Sequence, residues 1–298
     1  MIDYKNNELP KVSMIMPCYN HEKFVKEAIQ SVIDQDYKNI ELIIIDDGST
    51  DNSVKAIQEM IAKCEERFVR FEFRSRPNKG LCFTLNEALE WCKGDFLAGV
   101  ASDDTIKTYK TSLQVKYLIK NPESIGVFGG IELVYEDTGV IEVQVAQARK
   151  YGFENILLHQ HNLPASTSLL RIDPVRKLGG YKEAFLIEDW SLWLFLTEQG
   201  GTLDYMDVVL GTYRRHQSNL SLQLERMLKG RVEIANLFND NILYNKALSQ
   251  VYYISALEWQ GISFIKSLKY TLVAVKLNYI GFYGFFKTYV KRLFRFNL

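Results

Sequence analysis

Three pairs of neighbouring acidic residues stand out in this 298-residue sequence: Asp46-Asp47, Asp103-Asp104 and Glu188-Asp189. The first two pairs directly follow apolar runs that predict buried strands. Carboxylates that gather in one crevice without basic neighbours repel one another. Such a cluster usually binds a divalent cation, and hard oxygen ligands favour Mg²⁺ or Mn²⁺. The spacing therefore predicts a metal-dependent site at the ends of these strands.

Each candidate residue also has an ordinary structural explanation. An Asp after a strand often forms an Asx turn or caps the next helix. Glu188-Asp189 suits the first turn of a helix, where the macrodipole favours acidic groups. Taken alone, His216 is more often a core or surface histidine than a ligand, and Trp190 is more often a core residue than a sugar platform. What favours function is that the acidic pairs occur together and in order.

Composition and missing motifs exclude several classes of protein. The 36 basic and 36 acidic residues balance, which predicts no nucleic-acid partner. No GxGxxG follows the first predicted strand, and the sequence contains neither GxxxxGK[ST] nor GxSxG. A dinucleotide fingerprint, a P-loop and a serine-hydrolase elbow are therefore excluded.

The cysteines and the first residues indicate a compartment. Cys18, Cys64, Cys82 and Cys92 form no CxxC pair, so we interpret them as free thiols in a reducing environment. The polar start of the chain resembles no secretory signal, and no run of about 18 apolar residues predicts a transmembrane helix. We therefore expect a cytoplasmic location.

The first hundred residues alternate between strand and helix patterns. Compact apolar runs predict buried strands, and apolar residues at helical spacing follow them. The predicted strands cover residues 12–16, 40–45, 68–73 and 96–101. This alternation is typical of a doubly wound parallel sheet, in which ligands bind at the carboxyl ends of the strands. The segments 17–20, 46–48 and 102–104 should therefore converge on one crevice.

The pattern changes after residue 120. Strands are predicted over residues 125–135, 140–145, 165–171 and 203–213, with a helix over residues 188–198. The first two of these strands are joined by turn residues typical of a hairpin. From about Leu222 onward the pattern is helical. We therefore predict an α/β domain that holds the site over residues 1–221 and a helical extension over residues 222–298.

The motifs also resemble a known family. The nucleotide-binding start of the family 2 glycosyltransferases is similar to the run VSMIMPCYNHEKFVKEAIQSVIDQDYKNIELIIIDDGSTDNS. Four further motifs follow at the family's spacing: RPNKGLCFTLNEAL, GDFLAGVASDD, EDWSLWL and YRRHQSNLS. The resemblance covers about residues 10–221 and is to enzymes of the bacterial surface-polysaccharide type. It implies the GT-A fold, a doubly wound, mostly parallel sheet, here with a helical C-terminal extension.

The resemblance implies roles in nucleotide binding. Pro17 and Tyr19 would line the nucleoside pocket, and Asp47 would accept a hydrogen bond from the base ring. Asp103 would lie near the ribose and the metal, and Asp104 would coordinate the metal, Mn²⁺ or Mg²⁺, that bridges the diphosphate. The motif reads Ala-Ser-Asp-Asp rather than Asp-x-Asp, which leaves open which carboxylate contacts the ion.

It also implies roles in the reaction. Asp189 would be the catalytic base, with Glu188 beside it and Trp190 on the acceptor side, and His216 would join the metal shell. One base without a protein nucleophile implies single displacement with inversion. The donor would be a nucleotide sugar, UDP-linked, and the acceptor a glycan or a lipid-linked glycan. No Q-x-x-R-W motif follows the base, so we expect transfer of one sugar rather than processive synthesis.

Three alternative functions stay open, and one of them, a membrane scaffold that rests on the C-terminal tail alone, leaves the acidic motifs unexplained. A nucleotidyltransferase of similar fold should carry a Gly-rich loop with Arg or Lys after the first strand, whereas here the loop reads PCYNHEKF. A catalytically silent nucleotide-sugar-binding module should lack the base, whereas Asp189 is present. The motifs do not specify the donor sugar, the acceptor, the linkage or the oligomeric state.

The end of the chain is basic and aromatic. Residues 259–298 contain seven Lys or Arg and no Asp or Glu, a charge of +7 that leaves −7 on the rest. Six basic residues would project within about 100° on a helix: Lys266, Lys269, Lys276, Lys287, Lys291 and Arg295. An apolar set lies broadly opposite: Leu268, Val275, Tyr279, Phe282, Phe286 and Leu293. This predicts an in-plane helix on an anionic membrane surface, peripheral at the inner face of the cell membrane. The alternative is a helical extension packed on the catalytic domain.

Overall fold

The computed structural model describes residues 9–217 and 219–278. Its strands are β1 (Val12–Cys18), β2 (Ile40–Asp46), β3 (Arg70–Ser75), β4 (Phe96–Gly99), β5 (Thr105–Ile106), β6 (Ser124–Tyr135), β7 (Ile141–Gln144), β8 (Arg149–Tyr151), β9 (Leu169–Arg171) and β10 (Thr202–Arg215). Its helices are α1 (Val25–Ile33), α2 (Ser53–Gln58), α3 (Ile61–Arg67), α4 (Leu81–Trp91), α5 (Lys110–Lys120), α6 (Phe153–Leu157), α7 (Ile172–Lys177), α8 (Glu188–Glu198), α9 (Leu224–Asn236), α10 (Tyr244–Glu258) and α11 (Phe264–Leu277).

The strands join one sheet whose main path has the order β3-β2-β1-β4-β9-β6-β10-β5. The first four strands of this path run parallel. The sequences of β1 and β2, VSMIMPC and IELIIID, are almost wholly buried, as strands covered on both faces must be. The predicted parallel sheet is therefore confirmed in this half, and it brings the carboxyl ends of β1, β2 and β4 to one edge.

The second half of the sheet is mixed. β9 runs antiparallel between β4 and β6, and β10 pairs parallel with β6 over most of its length. β5 and β8 add short antiparallel pairings to β10. Because β10 ends at Arg215, the sheet delivers His216 from the far half of the chain to the edge where β4 ends.

Some elements differ from the predicted pattern. The helix predicted after β2 is interrupted by a turn and forms α2 and α3. The strand predicted over residues 165–171 begins with a 3₁₀ turn at Ala165–Thr167, so β9 is shorter than expected. β5, β8 and α6 were not predicted, since elements of two to five residues are too short to establish a periodic pattern.

The described chain divides into two compact units. The first comprises the described residues up to Phe153 together with Asn162–Glu183 and Leu192–His216, and it contains the sheet. The second comprises Glu154–His161, Ala184–Ser191 and the described residues from Gln217 onward, with α9, α10 and α11. Segments 154–161 and 184–191, inside the predicted first domain, thus belong to the helical unit. Among the residues described, no helix combines the length and the apolar character needed to cross a membrane.

Candidate active site

The loops after β1 and β2 form the first part of the candidate site. Pro17 lies half-buried in β1, in register with Ile45, and Tyr19 follows the strand with 48% of its surface exposed. Asn20 has a left-handed φ of 56°, and its Oδ1 accepts a hydrogen bond from the Thr50 N–H at 2.8 Å. This bond joins the two loops, while the Tyr19 ring stays accessible for stacking on a planar ligand.

Asp47, directly after β2, is buried and accepts hydrogen bonds from three donors of the loop that follows β3. Its Oδ1 accepts from the Lys79 N–H at 2.8 Å and from Arg76 Nη1, and its Oδ2 accepts from the Gly80 N–H at 2.9 Å. Gly48 has a φ of +76°, and a Cβ there would lie 2.6 Å from the backbone of the same loop. Only glycine therefore permits this close approach.

Arg76 is itself held in place from α4. Its Nε donates to Glu87 Oε2 at 2.7 Å, and its Nη2 donates to Thr84 Oγ1 at 2.8 Å. A carboxylate offers about four acceptor directions, and the described donors use three of those on Asp47. One direction on Oδ2 is thus left for an N–H of a ligand.

Asp103 lies in the loop after β4, where the fold brings two imidazole rings to it. Its Oδ2 is 3.0 Å from His216 Nε2 and 3.7 Å from His21 Nε2. One ligand atom of each residue lies within 4.8 Å of the others, a spacing compatible with a shared metal ion. Carboxylate oxygen and imidazole nitrogen are donors that first-row divalent ions accept, so these residues fit a metal.

Asp104 makes a different contact. Its Oδ1 accepts a hydrogen bond from the Arg214 N–H at 2.8 Å, and Arg214 Nε donates to the Asp103 carbonyl oxygen at 3.0 Å. Arg214 also pairs with Glu27 at 2.7 Å. Asp104 therefore ties the end of β10, two residues before His216, to the loop that carries Asp103.

Burial controls the protonation of two groups around this cluster. Burial, followed by the charge of Asp103, raises the pKa of Asp104 well above its ordinary value. Burial lowers the pKa of His21, which favours the neutral imidazole. His21 Nδ1 lies 2.7 Å from Ser102 Oγ, and this contact fixes the orientation of the ring.

Glu188 and Asp189 begin α8 and lie in the second unit. Both side chains are half-buried, and Asp189 Oδ1 accepts a hydrogen bond from the Trp190 N–H at 2.6 Å. Burial, followed by the charge of Asp189, raises the pKa of Glu188 to about 8. Burial also raises the pKa of Asp189. Near neutral pH, one carboxyl of the pair can therefore be ionised while the other keeps its proton.

Trp190 is packed within the same unit. It is 4% exposed, its Nε1 donates to the Ile156 carbonyl oxygen at 3.1 Å, and His159 stacks on it with ring centroids 4.1 Å apart. His159 holds this position with a left-handed φ of 50°, which is uncommon outside glycine. The ring is mainly used in packing, and its predicted contact with an acceptor stays a prediction.

The structure thus brings two of the predicted metal ligands, Asp103 and His216, into direct contact. It places Asp47 at the end of a neighbouring parallel strand, whereas Glu188, Asp189 and Trp190 belong to the other unit. Sequence reasoning missed three residues: His21, Arg76 and Arg214. Each stands inside a motif quoted above, but only the folded sheet reveals its partner.

The sequence also matches a family model and known proteins. The family model described as glycosyl transferase family 2 matches residues 13–179, more than half of the chain. EpsE of Bacillus subtilis, which is named as a glycosyltransferase, is 32% identical over 197 residues, covering 65% of this chain and 69% of that protein. WfgD of Escherichia coli, a UDP-Glc:alpha-D-GlcNAc-diphosphoundecaprenol beta-1,3-glucosyltransferase, is 28% identical and covers 82% of this chain and 90% of its own.

Solved structures share the fold. TarS 1-349 of S. aureus in complex with UDP-GlcNAc gives a TM-score of 0.66 at 18% identity, covering 89% of this chain and 79% of that one. The mannosyltransferase PcManGT of Pyrobaculum calidifontis, in complex with GDP-Man and Mn²⁺, gives 0.62 at 15% identity, covering 91% and 86%. These likenesses confirm the predicted fold class, a GT-A-type, mostly parallel sheet with a helical C-terminal region.

Proposed function

The chain belongs to glycosyl transferase family 2, and we propose that it transfers one sugar from a UDP-linked donor to a hydroxyl group of a glycan or lipid-linked acceptor. The observation that carries the proposal is the cluster at the carboxyl ends of the parallel strands. There Asp47 keeps an acceptor direction for a base, and Asp103 meets His216 and His21. Structural neighbours solved with UDP and UDP-GlcNAc, and a relative named for UDP-Glc, support the choice of nucleotide.

In this proposal, Tyr19 and Pro17 line the nucleoside pocket and Asp47 reads the base. Uracil presents one ring N–H, and the remaining direction on Asp47 Oδ2 accepts it. Arg76 fixes the position of this carboxylate, because the ion pair between them is buried. A base without that N–H would leave the acceptor direction without a partner, which disfavours it.

Asp189 is the proposed base. It takes the proton of the acceptor hydroxyl while that oxygen attacks the sugar carbon opposite the diphosphate, which inverts the configuration. Burial raises the pKa of Asp189, and this makes the carboxylate a stronger base than an exposed aspartate. Glu188 keeps its proton below a pH of about 8 and so limits the charge beside the base.

Asp103 and His216 are the proposed metal ligands, and Asp104 positions His216 through Arg214. When bound, a divalent ion such as Mn²⁺ or Mg²⁺ would stabilise the negative charge that develops on the leaving diphosphate. In this proposal Asp103 rather than Asp104 contacts the ion, because Asp103 lies close to both imidazoles, whereas Asp104 Oδ1 accepts a hydrogen bond from the Arg214 N–H.

Helix α11 supports the proposal that the enzyme works at an anionic membrane surface. One face packs on α10, where Ser267 Oγ donates to the Ala256 carbonyl oxygen at 2.8 Å. The opposite face is apolar and exposed, with Ile265 at 80% and Leu272 at 61%. An exposed apolar face beside cationic side chains suits insertion at the headgroup level.

Only some of the six basic residues predicted to lie on one face of the C-terminal helix are available to contact lipid. Lys269 and Lys276 are exposed beside the apolar face, but Lys266 pairs with Glu225 at 2.7 Å and covers the Trp259 ring at 3.9 Å. The predicted members Lys287, Lys291 and Arg295, with Tyr279, Phe282, Phe286 and Leu293, lie outside the described residues. We propose a cytoplasmic protein that is peripheral at the inner face of the cell membrane.

The function is tested by incubating the purified chain with a panel of nucleotide sugars, Mn²⁺ and a lipid-linked glycan. We expect release of UDP together with an acceptor heavier by one sugar, of inverted anomeric configuration. A parallel incubation with a nucleoside triphosphate and a sugar 1-phosphate tests one of the alternatives, because release of pyrophosphate there would instead indicate a nucleotidyltransferase. Binding of a nucleotide sugar, with no turnover on any acceptor, would indicate a silent module.

Membrane binding is tested by co-sedimentation with vesicles that contain or lack anionic lipid. Two variants separate its parts: Leu268→Ser with Leu272→Ser removes apolar surface, and Lys269→Glu with Lys276→Glu reverses charge. Both should reduce binding, and added salt should weaken it for the wild type. Lys246→Glu, on α10, is the charge control. Equal sedimentation of all variants would contradict membrane binding by α11 and favour the alternative, a helical extension packed on the catalytic domain.

A further inference from the structure

We propose that His21 is a third protein ligand of the metal ion, so that two imidazole nitrogens and one carboxylate oxygen hold it. The inference rests on the proposed function, because it concerns the same ion. The sequence-based ligands Asp103, Asp104 and His216 would offer two oxygens and one nitrogen. Among the described residues, the cluster whose ligand atoms all lie within 4.8 Å of one another contains His21 together with Asp103 and His216.

The distance between His21 and Asp103 is too long for a hydrogen bond but close to the spacing of two ligands on one metal ion. His21 Nε2 lies 3.7 Å from Asp103 Oδ2, beyond the length of a hydrogen bond. Metal–ligand bonds of about 2.1 Å put neighbouring ligand atoms about 3.0–3.5 Å apart. The separations of Asp103 Oδ2 from the two imidazoles, 3.0 and 3.7 Å, bracket that range, so small movements would complete the site.

The ring of His21 is already oriented for this role. A ligating histidine usually donates its second ring N–H to a neighbouring acceptor, which fixes the tautomer and leaves the other nitrogen for the metal. Here Nδ1 lies 2.7 Å from Ser102 Oγ, in the residue before Asp103. The partner ring is held as well, since Phe24 stacks on His216 with centroids 5.1 Å apart.

Two nitrogen ligands change which ions the site prefers. Mg²⁺ favours oxygen ligands, whereas affinity for sites with imidazole rises along the series from Mn²⁺ to Co²⁺ and Ni²⁺. We therefore expect binding of Mn²⁺ and Co²⁺ well above that of Mg²⁺. A carboxylate-dominated site would discriminate less between these ions.

The test counts nitrogens on bound Mn²⁺ by pulsed electron paramagnetic resonance, with and without UDP. The wild type should give two imidazole nitrogens, and His21→Asn and His216→Asn should each give one. Asn keeps a polar atom near Ser102 but removes Nε2. Affinity for Mn²⁺ should fall at least ~10-fold in His21→Asn, with a smaller change for Mg²⁺. Lys23→Ala, exposed in the same segment, is the control and should match the wild type.

The outcomes separate this inference from the proposed function. One nitrogen in the wild type, lost in His216→Asn and kept in His21→Asn, would overturn the role of His21 and leave the metal site standing. No binding of Mn²⁺ by the wild type, even with UDP, would overturn both. If His21→Asn does not fold, the nitrogen count of the wild type decides alone.

Discussion

Asp47, at the end of β2, and the acidic pair that begins α8 are carboxyl groups in different electrostatic environments. At the end of β2, protein donors surround Asp47, which accepts from one guanidinium and two backbone N–H groups. Asp104 accepts from the Arg214 N–H, but burial raises its pKa well above the ordinary value. At the start of α8, burial raises the pKa of Glu188 to about 8 and also raises that of Asp189. Asp47 is thus surrounded by three donors, whereas burial favours a retained proton in the acidic pair that begins α8 and, in the same way, at Asp104.

The difference matches the tasks that we propose. A carboxylate that reads a base or binds a metal must stay ionised and fixed, which donors accomplish. A general base must instead accept a proton near the working pH, which burial promotes by raising its pKa. Variants that remove one carboxylate at a time therefore test the comparison directly.

The largest effect is expected at Asp103. Asp103→Asn should reduce transfer at least ~10³-fold, because several kcal/mol of leaving-group stabilisation depend on the ion. Asp104→Asn should lose only about tenfold, since the Asn Oδ1 can still accept from the Arg214 N–H. Initial rates and Mn²⁺-dependent UDP binding measure both. Equal losses of activity in the two variants would indicate that Asp104 is also a metal ligand. Full activity of the wild type in EDTA would show that the reaction needs no metal.

The second effect is expected at Asp189. Asp189→Asn keeps the size of the side chain but cannot take the proton, so turnover should fall by ~10² or more while donor affinity persists. Glu188→Gln should retain most turnover, because Glu188 already keeps its proton. Steady-state rates and UDP titration separate turnover from binding. Normal turnover in Asp189→Asn, together with a loss of turnover in Glu188→Gln, would indicate that Glu188 is the catalytic base.

Substitution of Asp47 should have a smaller effect, and it should change the preference of the protein for one nucleobase over another. Asp47→Ala should weaken UDP binding about tenfold, within the ~1–3 kcal/mol of a lost buried hydrogen bond. Calorimetry with CDP provides the control, because cytosine has no N–H at the ring position where uracil has one. We expect the variant to lose the preference for UDP over CDP. If the binding of UDP and of CDP weakens equally, Asp47 does not contact the base and only holds the loop that contains Arg76.

Much of the fold was predictable because its signals are local. β1 and β2 are predominantly apolar runs, and α8 spans residues 188–198 as the pattern predicted. β5 and β8 were missed because their pairing with β10 depends on residues far away in the chain. Such strands form where a neighbour offers free backbone groups, not where their own sequence demands it.

The candidate site also combines features with a local sequence signal and features that depend on distant residues. The motif around Asp103 is local and could be recognised, but the engagement of Asp104 by Arg214 depends on where β10 ends. His21 stands in the first motif, yet its approach to Asp103 follows from the order of β1 and β4 in the sheet. In the tail, the periodic pattern placed Lys266 on an exposed stripe, whereas the pairing with Glu225 needed the packing of the second unit.

The last effect is expected in stability rather than in rate or binding, and it tests whether Glu188 is protonated. Burial raises the pKa of Glu188 from an ordinary 4.5 to about 8, so between these pH values the unfolded chain ionises while the folded chain keeps its proton. The free energy of unfolding should therefore fall as pH rises through this window and level off above it. Glu188→Gln lacks this loss, so its stability relative to the wild type should improve with pH, by a few kcal/mol at most.

Urea unfolding at a series of pH values measures this difference, with Glu198→Gln at the exposed end of α8 as the matched control. The control should differ from the wild type by an amount that does not change with pH. A flat difference for Glu188→Gln as well would mean that Glu188 is ionised in the folded protein. The start of α8 would then hold two charges, and it would need donors beyond the Trp190 N–H on Asp189, of the kind that surround Asp47.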